Sequence, residues 1–503
     1  MMRFGAKRTI RAAALAGFLL APMAGMTAAE ANDTAPVRVG QSFLAGGLDA
    51  ANGSTGWALV SHGIAEQLFT VSRDGRVVPQ LAAGATLNED GSWTIVLEEG
   101  RRFSDGSPVS AEAVAESLNR TVAQNPIASA SAGEIAFEPT GERTLMARTE
   151  RPTPILPSIL AEWAFPIYRA VGEGFVFTGP FAVEAMVQGS HIDLVPNPHH
   201  PNAEHLPAVT LQRLADGQTM ALALRAGELD LAFNLPVETL GLVGADPDLA
   251  AKTFPVAYQY MMFMNTAHPA LADEAVRKAI DLAINREALV QGARAGSVAT
   301  GAFADIYPFA LADPITADPD RAAQLLDDAG WVKGDDGVRR KDGEPLRLQL
   351  LAYPQRPDLI TFQPIVRAML GELGIEVTTQ VTEEPTATVA SGAFDLALWA
   401  QHTAPAGDPL MFLALFFETD APRNYVGWSN ETFDEIIASL RTEADTDERI
   451  ALAHKAQQIL MEEAPVSFLV TPEWHVGMSS RLAGYEPWGS DYYVLRSDLT
   501  VAD

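Results

Sequence analysis

Strand and helix patterns alternate along most of this chain, and this alternation restricts the fold more than any other feature. Between positions 211 and 233, the strand pattern Leu211–Leu214 is followed by helical spacing over Met220–Leu224, a stop at Gly227 and a second strand pattern, Leu229–Phe233. Strand, helix, strand is the order of a parallel α/β unit. A second block begins with the strand pattern Tyr260–Asn265. The sequence therefore predicts an α/β fold with two such blocks.

The other elements are predicted from the same periodicities, two residues for strands and about 3.6 residues for helices. Helices are expected over Ser61–Leu68, Ala111–Val122, Glu274–Ile284, Arg321–Ala329, Pro364–Leu373, Thr432–Ala444 and Asp447–Ala464. Strands are expected over Val37–Val39, Trp93–Leu97, Glu142–Thr149, Leu346–Ala352, Glu376–Val381, Phe394–Trp399 and Val466–Val470, with a hairpin over 181–195. The strand Phe394–Trp399 is nearly all apolar, which is typical of a parallel strand buried on both faces.

Composition excludes several classes of function. The chain has no cysteine, which removes disulfides, thiolate metal sites and cysteine nucleophiles. Its formal net charge of −29 at pH 7 repels nucleic acid and anionic lipid, so we expect no nucleic-acid partner. A hydrophobic fraction of 48% with a mean hydropathy of +0.05 is typical of a compact soluble protein. A chain of 503 residues buries a large core without covalent cross-links.

The first 31 residues are organised like a signal peptide. Basic residues at positions 3, 7, 8 and 11 precede the apolar run Ala12–Met26, and the small residues Ala29 and Ala31 mark a cleavage site before Asn32. The apolar run is shorter than the roughly 20 residues of a membrane-spanning anchor, which is the alternative interpretation. Because no cysteine follows the run, lipid attachment is excluded and a free periplasmic protein is expected.

Four motifs occur in a fixed order and together resemble those of one protein family. They are the W-x-x-x-L-x-x-G-x-x-F-x-D-G-x-P pattern within Gly91–Val114, the G-P-F of Phe177–Phe181, the F-x-N-T and V-R-x-A-I patterns within Phe263–Glu287, and the D-P to A-G-W pattern of Asp318–Trp331. This series is similar to that of the extracytoplasmic solute-binding proteins of family 5, the peptide and nickel type that deliver ligands to ABC importers. Phe177 stands where the family usually has glycine.

The resemblance implies an α/β fold of the periplasmic-binding-protein type II kind, with two α/β lobes around a cleft and an extra domain inserted in the first lobe. Lobe I is then expected to comprise residues 32–50, 176–258 and 472–503, the inserted domain residues 51–175, and lobe II residues 259–471. The region 155–177 is short for the family and would reshape one wall of the cleft.

The same resemblance implies a role in transport without catalysis. A monomer would capture a small-molecule or short-peptide ligand, close on it by a hinge motion, and deliver it to ABC permease subunits at the membrane. No cofactor is implied. The sequence has no H-E-x-x-H, G-x-S-x-G, S-x-x-K or Walker-type motif, so an exported hydrolase with a site assembled only in the fold is the less favoured alternative.

A carboxylate on a stiff loop is the first candidate binding residue. Asp408 lies between Gly407 and Pro409, in a segment that follows the strand pattern ending at Trp399. Ligands of open α/β sheets bind beyond the carboxyl ends of strands. The alternative, which the residues favour equally, is that Asp408 caps the next helix, because Asp followed by Pro also starts helices.

The resemblance adds roles for two charged residues. The G-D-P at 407–409 is similar to that of dipeptide-binding members, in which the aspartate pairs with the peptide α-ammonium; this implies that role for Asp408. The Q-R-P at 355–357 is similar to theirs, which implies that Arg356 receives the α-carboxylate. A guanidinium fork suits a carboxylate, and a carboxylate suits an ammonium. For Arg356 the alternative is an exposed loop charge.

A nickel chelate or a metallophore complex of opine type is the competing ligand. Nickel-type relatives capture metal chelates with arginine, tryptophan and in some cases one histidine from this neighbourhood. His402, Thr403 and Trp399 are therefore candidate ligand-binding residues, with His402 as a metal ligand only under this alternative. One histidine does not hold a metal by itself, so the metal would arrive already chelated.

Aromatic residues outside the periodic core stripes complete the predicted set. Tyr425, Trp428 and Trp57 are expected to lie in loops and to stack on the ligand, with simple loop packing as the alternative. His199, His200 and His205 could form a metal site, but a polar surface loop bounded by prolines is the favoured interpretation.

Overall fold

A computed structural model describes residues 35–150 and 153–502. The predicted signal peptide, residues 1–31, lies outside the described residues. Among the helices that are described, none has the length and apolar character needed to cross a membrane.

A seven-stranded mixed sheet, here called the first sheet, combines three separated parts of the chain. Its strands, in spatial order, are Phe181–Val187, His191–Pro196, Val209–Arg213, Val37–Gln41, Leu231–Phe233, Glu473–Ser479 and Leu249–Pro255. Val39 pairs in parallel register with Leu211 on one side and Leu231 on the other. The helix Gly217–Arg225 connects Val209–Arg213 to Leu231–Phe233, the two strands that flank Val37–Gln41. This arrangement confirms the predicted parallel α/β unit.

The second sheet has six strands, all from residues 258–471. In spatial order they are Ser297–Val298, Val466–Thr471, Tyr258–Met264, Leu396–His402, Arg347–Ala352 and Glu376–Val381. The strand Leu396–His402 is parallel to one neighbour and antiparallel to the other. It continues past its predicted end at Trp399, so His402 is a strand residue rather than a loop residue.

Smaller sheets occupy the region between the strands Val37–Gln41 and Phe181–Val187. An antiparallel sheet has the strand order Ala82–Leu87, Trp93–Leu97, Thr144–Thr149 and Ile135–Pro139. Phe69–Val71 pairs with Val77–Pro79, and Tyr168–Val171 pairs with Gly174–Phe177. Later in the chain, Val332–Lys333, Arg339–Lys341 and Glu344–Pro345 form a further small sheet. These strands confirm the predicted strand Trp93–Leu97 and leave the exact domain limits as a prediction.

The α-helices follow the predicted order, with two corrections. They are Thr55–Ser61, Ala111–Gln124, Pro126–Ala132, Leu156–Ile159, Gly217–Arg225, Leu240–Gly244, Glu274–Ala283, Arg286–Ala293, Pro319–Asp328, Pro357–Leu373, Pro385–Ala390, Leu410–Phe417, Glu431–Thr442 and Thr446–Glu463, with short 3₁₀ turns at Ala203–His205, Val237–Thr239 and Ser480–Leu482. The predicted helix Ser61–Leu68 is wrong because Gly63, at φ +64°, ends helical geometry there. The predicted start at Pro364 is also wrong: Pro357 occupies the first turn and Pro364 lies inside the helix.

The chain crosses between the two large sheets twice, at residues 255–258 and 471–473. The crossings lie side by side, because the N–H of Val256 donates to the carbonyl of Pro472 at 3.3 Å. Close to them, the rings of Tyr258 and Trp474 have centroids 4.9 Å apart. The two crossings therefore meet at the contact between Tyr258 and Trp474, and the polar side chains of the candidate site surround this contact.

Candidate functional site

The side chain of Arg356 lies beside the two crossings and has one hydrogen bond to the residues that the structure describes. Its guanidinium carbon is 5.1 Å from the ring centroid of Tyr258 and 5.3 Å from that of Trp474. Nη2 donates a long hydrogen bond of 3.4 Å to the Tyr258 hydroxyl and lies 3.8 Å from the Asp491 carboxylate. Only 23% of the side chain is exposed. The guanidinium is thus held between aromatic faces with its fork available for an anionic group.

Asp491 faces Arg356 from the C-terminal part of the chain. Its side chain is 5% exposed and accepts a hydrogen bond from the Tyr258 hydroxyl at 3.2 Å. Burial raises the pKa of Asp491, against the lowering effects of the Arg356 charge and the Tyr258 hydroxyl. The closest approach of the two groups is 3.8 Å, so Asp491 and Arg356 make a loose ion contact rather than a tight ion pair.

His402 and Tyr492 form the wall next to this pair. Their rings stack with centroids 4.8 Å apart, and the His402 ring lies 5.2 Å from that of Tyr258. Burial lowers the pKa of His402 to about 3, so the imidazole is neutral. Its Nδ1 and the neighbouring Thr403 hydroxyl are buried and have no hydrogen-bond partner among the described residues. A neutral imidazole with a free ring nitrogen suits a polar ligand group or a metal.

Trp57 lies in the helix Thr55–Ser61, so its predicted loop position is wrong. Its ring stacks on Phe43 with centroids 4.1 Å apart. The indole Nε1 is buried without a hydrogen bond of normal geometry, yet it faces Asp491 closely enough to lower the pKa of that residue. The structure therefore brings together three of the predicted site residues, Trp57, Arg356 and His402.

Asp408 is engaged by groups of the protein itself. Nη2 of Arg449 lies 2.7 and 2.6 Å from its two carboxylate oxygens, and Nε lies 3.1 Å from Oδ2. The N–H of Leu410 donates to Oδ1 at 2.9 Å. Asp408 thus binds the first N–H of the helix Leu410–Phe417 from one position before the N-cap, which is Pro409 rather than the predicted Asp408, and neutralises Arg449. Direct contact between Asp408 and a ligand ammonium stays a prediction.

A second buried carboxylate, Glu162, lies near Asp408. Its Oε2 accepts a hydrogen bond from the Ser131 hydroxyl at 2.8 Å, whereas Oε1 is buried with no partner in the described part of the chain. Burial raises the pKa of Glu162 to about 7; the Ser131 hydroxyl opposes this shift, and the Asp408 charge adds to it. Glu162 also interacts electrostatically with Tyr492, the residue that stacks on His402.

Trp399, Tyr425 and Trp428 make contacts typical of interior packing. The ring of Trp399 lies 5.6 Å from Tyr353 and 6.1 Å from Tyr425. Nε1 of Trp428 donates to Glu463 at 2.7 Å. Stacking of these three rings on a ligand stays a prediction.

The histidine-rich segment differs from its predicted surface loop at one position. His200 is 8% exposed, and its Nε2 lies 3.4 Å from the carboxylate of Glu66, which also pairs with Arg101. The surface-loop interpretation is wrong for His200, because this acidic partner lies inside the fold. Within 35–150 and 153–502, no group of three or more His, Asp or Glu side chains is placed to hold a metal ion.

Sequence reasoning missed Asp491, Tyr492 and Glu162. Asp491 and Tyr492 lie in an irregular C-terminal segment with no periodicity to interpret. Glu162 did carry a signal, because it is the single charged residue in the otherwise uncharged stretch 153–168. A lone carboxylate among apolar residues indicates either a buried partner or a functional site.

Comparison with known proteins agrees with this architecture. The family model for bacterial extracellular solute-binding proteins, family 5, matches residues 76–424. The chain is 24% identical to the probable D,D-dipeptide-binding periplasmic protein DdpA of Escherichia coli, over 78% of each chain. It is 28% identical to the nickel-binding periplasmic protein of the same organism, over 69% of this chain and 72% of the relative.

A solved structure extends the agreement to the fold. The crystal structure of NikA from Staphylococcus aureus in complex with Ni(L-His)2 superposes with a TM-score of 0.79 at 20% identity, covering 93% of this chain and all of that one. Two α/β sheets joined by paired crossings define a type II periplasmic binding protein. Within that class, the chain belongs to the bacterial extracellular solute-binding proteins of family 5, the ligand-binding components of ABC importers.

Proposed function

We propose that this protein captures short peptides outside the cytoplasm and delivers them to the permease subunits of an ABC importer. The observation that carries the proposal is the state of Arg356. Its guanidinium is largely buried, lies against two aromatic rings, and makes one long hydrogen bond of 3.4 Å and one ion contact of 3.8 Å. A largely buried cation that makes one long hydrogen bond within the described ranges is suited to a ligand that brings its own carboxylate.

The energetics favour a carboxylate over a neutral ligand. A hydrogen bond to a charged group contributes about 1.5–3 kcal/mol, and a guanidinium makes two such bonds to one carboxylate. The acid next to Arg356, Asp491, lies 3.8 Å from the guanidinium and so leaves room for an incoming carboxylate to form shorter contacts. The similarity to a protein named as a probable dipeptide-binding protein is consistent with a peptide carboxylate at this position.

A nickel chelate is the second candidate, because of one specific feature. The buried Nδ1 of His402 has no hydrogen-bond partner among the described residues, and burial lowers the pKa of this residue to about 3. A neutral imidazole is the form that ligates a metal. One imidazole completes the coordination of a metal that arrives already chelated.

Calorimetric titration of the purified protein separates the two candidates. We expect L-alanyl-L-alanine to bind, and Arg356→Gln to weaken binding at least tenfold. Arg367→Gln is the matched control, because Arg367 is exposed on the helix that follows Arg356. The peptide proposal is wrong if the wild type binds the nickel–histidine complex and no peptide, with His402→Gln abolishing that binding. Recovery of cleaved peptide after the titration would instead support an enzyme.

A further inference from the structure

The strongest unexplained feature of the molecule is the unpaired oxygen of Glu162. The residue is 6% exposed, and its Oε1 has no hydrogen-bond partner in the described ranges. Leaving a buried polar group unpaired costs on the order of 1–3 kcal/mol, and more for a charged group. A buried polar group without a protein partner indicates strain, a catalytic role, or a partner that binds from outside the chain, such as a ligand, an ion or water.

Asp408, the nearby acid, has no unpaired carboxylate oxygen. Both of its oxygens accept hydrogen bonds from Arg449, and Oδ1 also accepts one from the N–H of Leu410, so its charge is already balanced inside the fold. Among the described residues, Glu162 accepts one hydrogen bond, from the neutral hydroxyl of Ser131. Of these two acids, Glu162 is therefore the one that has no cationic partner in the described part of the chain and has an open oxygen.

Glu162 belongs to the same cleft as Arg356. Tyr492 interacts electrostatically with Glu162 and also with Tyr258 and Asp491. Tyr258 and Asp491 are the polar groups nearest the Arg356 guanidinium among the described residues. The carbonyl oxygen of Trp163, next to Glu162 in the chain, lies against Gly56, the neighbour of Trp57, whose indole N–H faces Asp491. A cation and an open acid thus belong to one group of neighbouring residues, as a zwitterionic ligand needs.

We propose that Oε1 of Glu162 receives the cationic group of the ligand, and that this contact makes the protein selective for solutes with a free ammonium group. The inference rests on the proposed peptide function and adds the residue that recognises the amino end. Because a cation next to Glu162 stabilises the carboxylate form, a ligand ammonium displaces a proton from Glu162 into solvent on binding.

The groups around Glu162 agree with this proton release. Glu162 interacts electrostatically with Asp408 and Tyr492, and the negative charge of Asp408 favours the protonated acid. Ser131 favours the carboxylate through its hydroxyl. With a pKa of about 7, Glu162 is largely protonated at pH 6.5 before the ligand binds.

The test compares two probes that differ in their amino end, L-alanyl-L-alanine and N-acetyl-L-alanyl-L-alanine. Titrations at pH 6.5 in two buffers of different ionisation enthalpy give both the affinity and the number of protons released. For the wild type we expect at least tenfold tighter binding of the free dipeptide and release of on the order of half a proton per ligand. Glu162→Gln should lose the preference and the release, while Glu116→Gln, at an exposed position of the helix Ala111–Gln124, should keep both.

Each outcome decides a separate point. If the wild type binds both probes equally, or if Glu162→Gln keeps the preference and the proton release, the Glu162 inference is wrong and the peptide function stands. If neither probe binds, the peptide function fails and the inference fails with it. Ser131→Ala tests the same link without changing Glu162: loss of the hydroxyl that favours the carboxylate should increase proton release, and unchanged release would contradict the inference.

Discussion

Asp408 and Arg449 form a buried, two-point ion pair in which Nη2 of the arginine lies 2.7 and 2.6 Å from the two carboxylate oxygens. Both side chains are 8% exposed. Arg449 also donates to the carbonyls of Leu440 and Glu443, so the pair ties the loop before the helix Leu410–Phe417 to two later segments. This contact explains a carboxylate at position 408 through stability alone.

We therefore expect Asp408→Asn to destabilise the protein by about 3–5 kcal/mol, because it leaves the Arg449 charge buried without its counter-charge. Urea unfolding measures the change. Asp336→Asn is the control, since it removes an exposed pair with Arg340 and should leave the free energy of unfolding almost unchanged. A fully stable Asp408→Asn variant that no longer binds peptide would instead indicate direct ligand contact.

The free energy of unfolding should depend on pH through Glu162. The acid has an ordinary value of 4.5, and burial raises its pKa to about 7 in the folded protein. Between these values the unfolded chain has lost the proton that the folded protein keeps, so the contribution of Glu162 to stability falls as pH rises from about 4.5 to 7. The loss is on the order of 3 kcal/mol. Subtracting the unfolding curve of Glu162→Gln from that of the wild type isolates the effect, and a difference that does not change with pH would refute it.

The imidazole of His402 should stay neutral throughout the physiological range. Burial lowers its pKa to about 3, whereas an unfolded histidine titrates near about 6.5. We expect its ring signals in NMR spectra to be constant from pH 5 to pH 8 in the folded protein and to titrate in urea. Because the unfolded chain alone takes up this proton, stability due to His402 falls as pH drops below about 6.5. Titration of the folded signal in that range would show that the ring is hydrated.

Two tryptophans of the predicted set should behave differently when replaced. Trp428→Phe removes the 2.7 Å hydrogen bond to Glu463 and should cost about 1–3 kcal/mol of stability, with unchanged peptide affinity. Trp57→Phe removes an indole N–H that faces Asp491, and should weaken peptide binding severalfold with a smaller effect on unfolding. Equal effects of both changes on affinity would contradict this assignment.

Sequence periodicity predicted the helices and strands around the candidate site more accurately than it predicted the side-chain contacts within the site. The helix at 111, the strand at 93 and the parallel unit around 217–225 follow from local patterns and capping residues. Two prolines seven residues apart could each start the helix that ends at Leu373. The sequence pattern predicted a start at Pro364, because local patterns do not show that Pro357 already occupies the first turn. The partner of Asp408 lies 41 positions away, and Asp491 meets Arg356 from the far end of the chain. No local pattern encodes such distant pairings.

The paired crossings at 255–258 and 471–473 have a mechanical consequence. Since a hydrogen bond from Val256 to Pro472 keeps the two connections together, we expect a rotation of one sheet relative to the other to take place about essentially one line. Arg356 lies shortly after one strand of the second sheet and His402 ends another, whereas Trp57 and Asp491 belong to segments outside that sheet. One such rotation would separate these side chains together. Under the proposed function, a solute held between them would then lose its contacts in a single event rather than one by one.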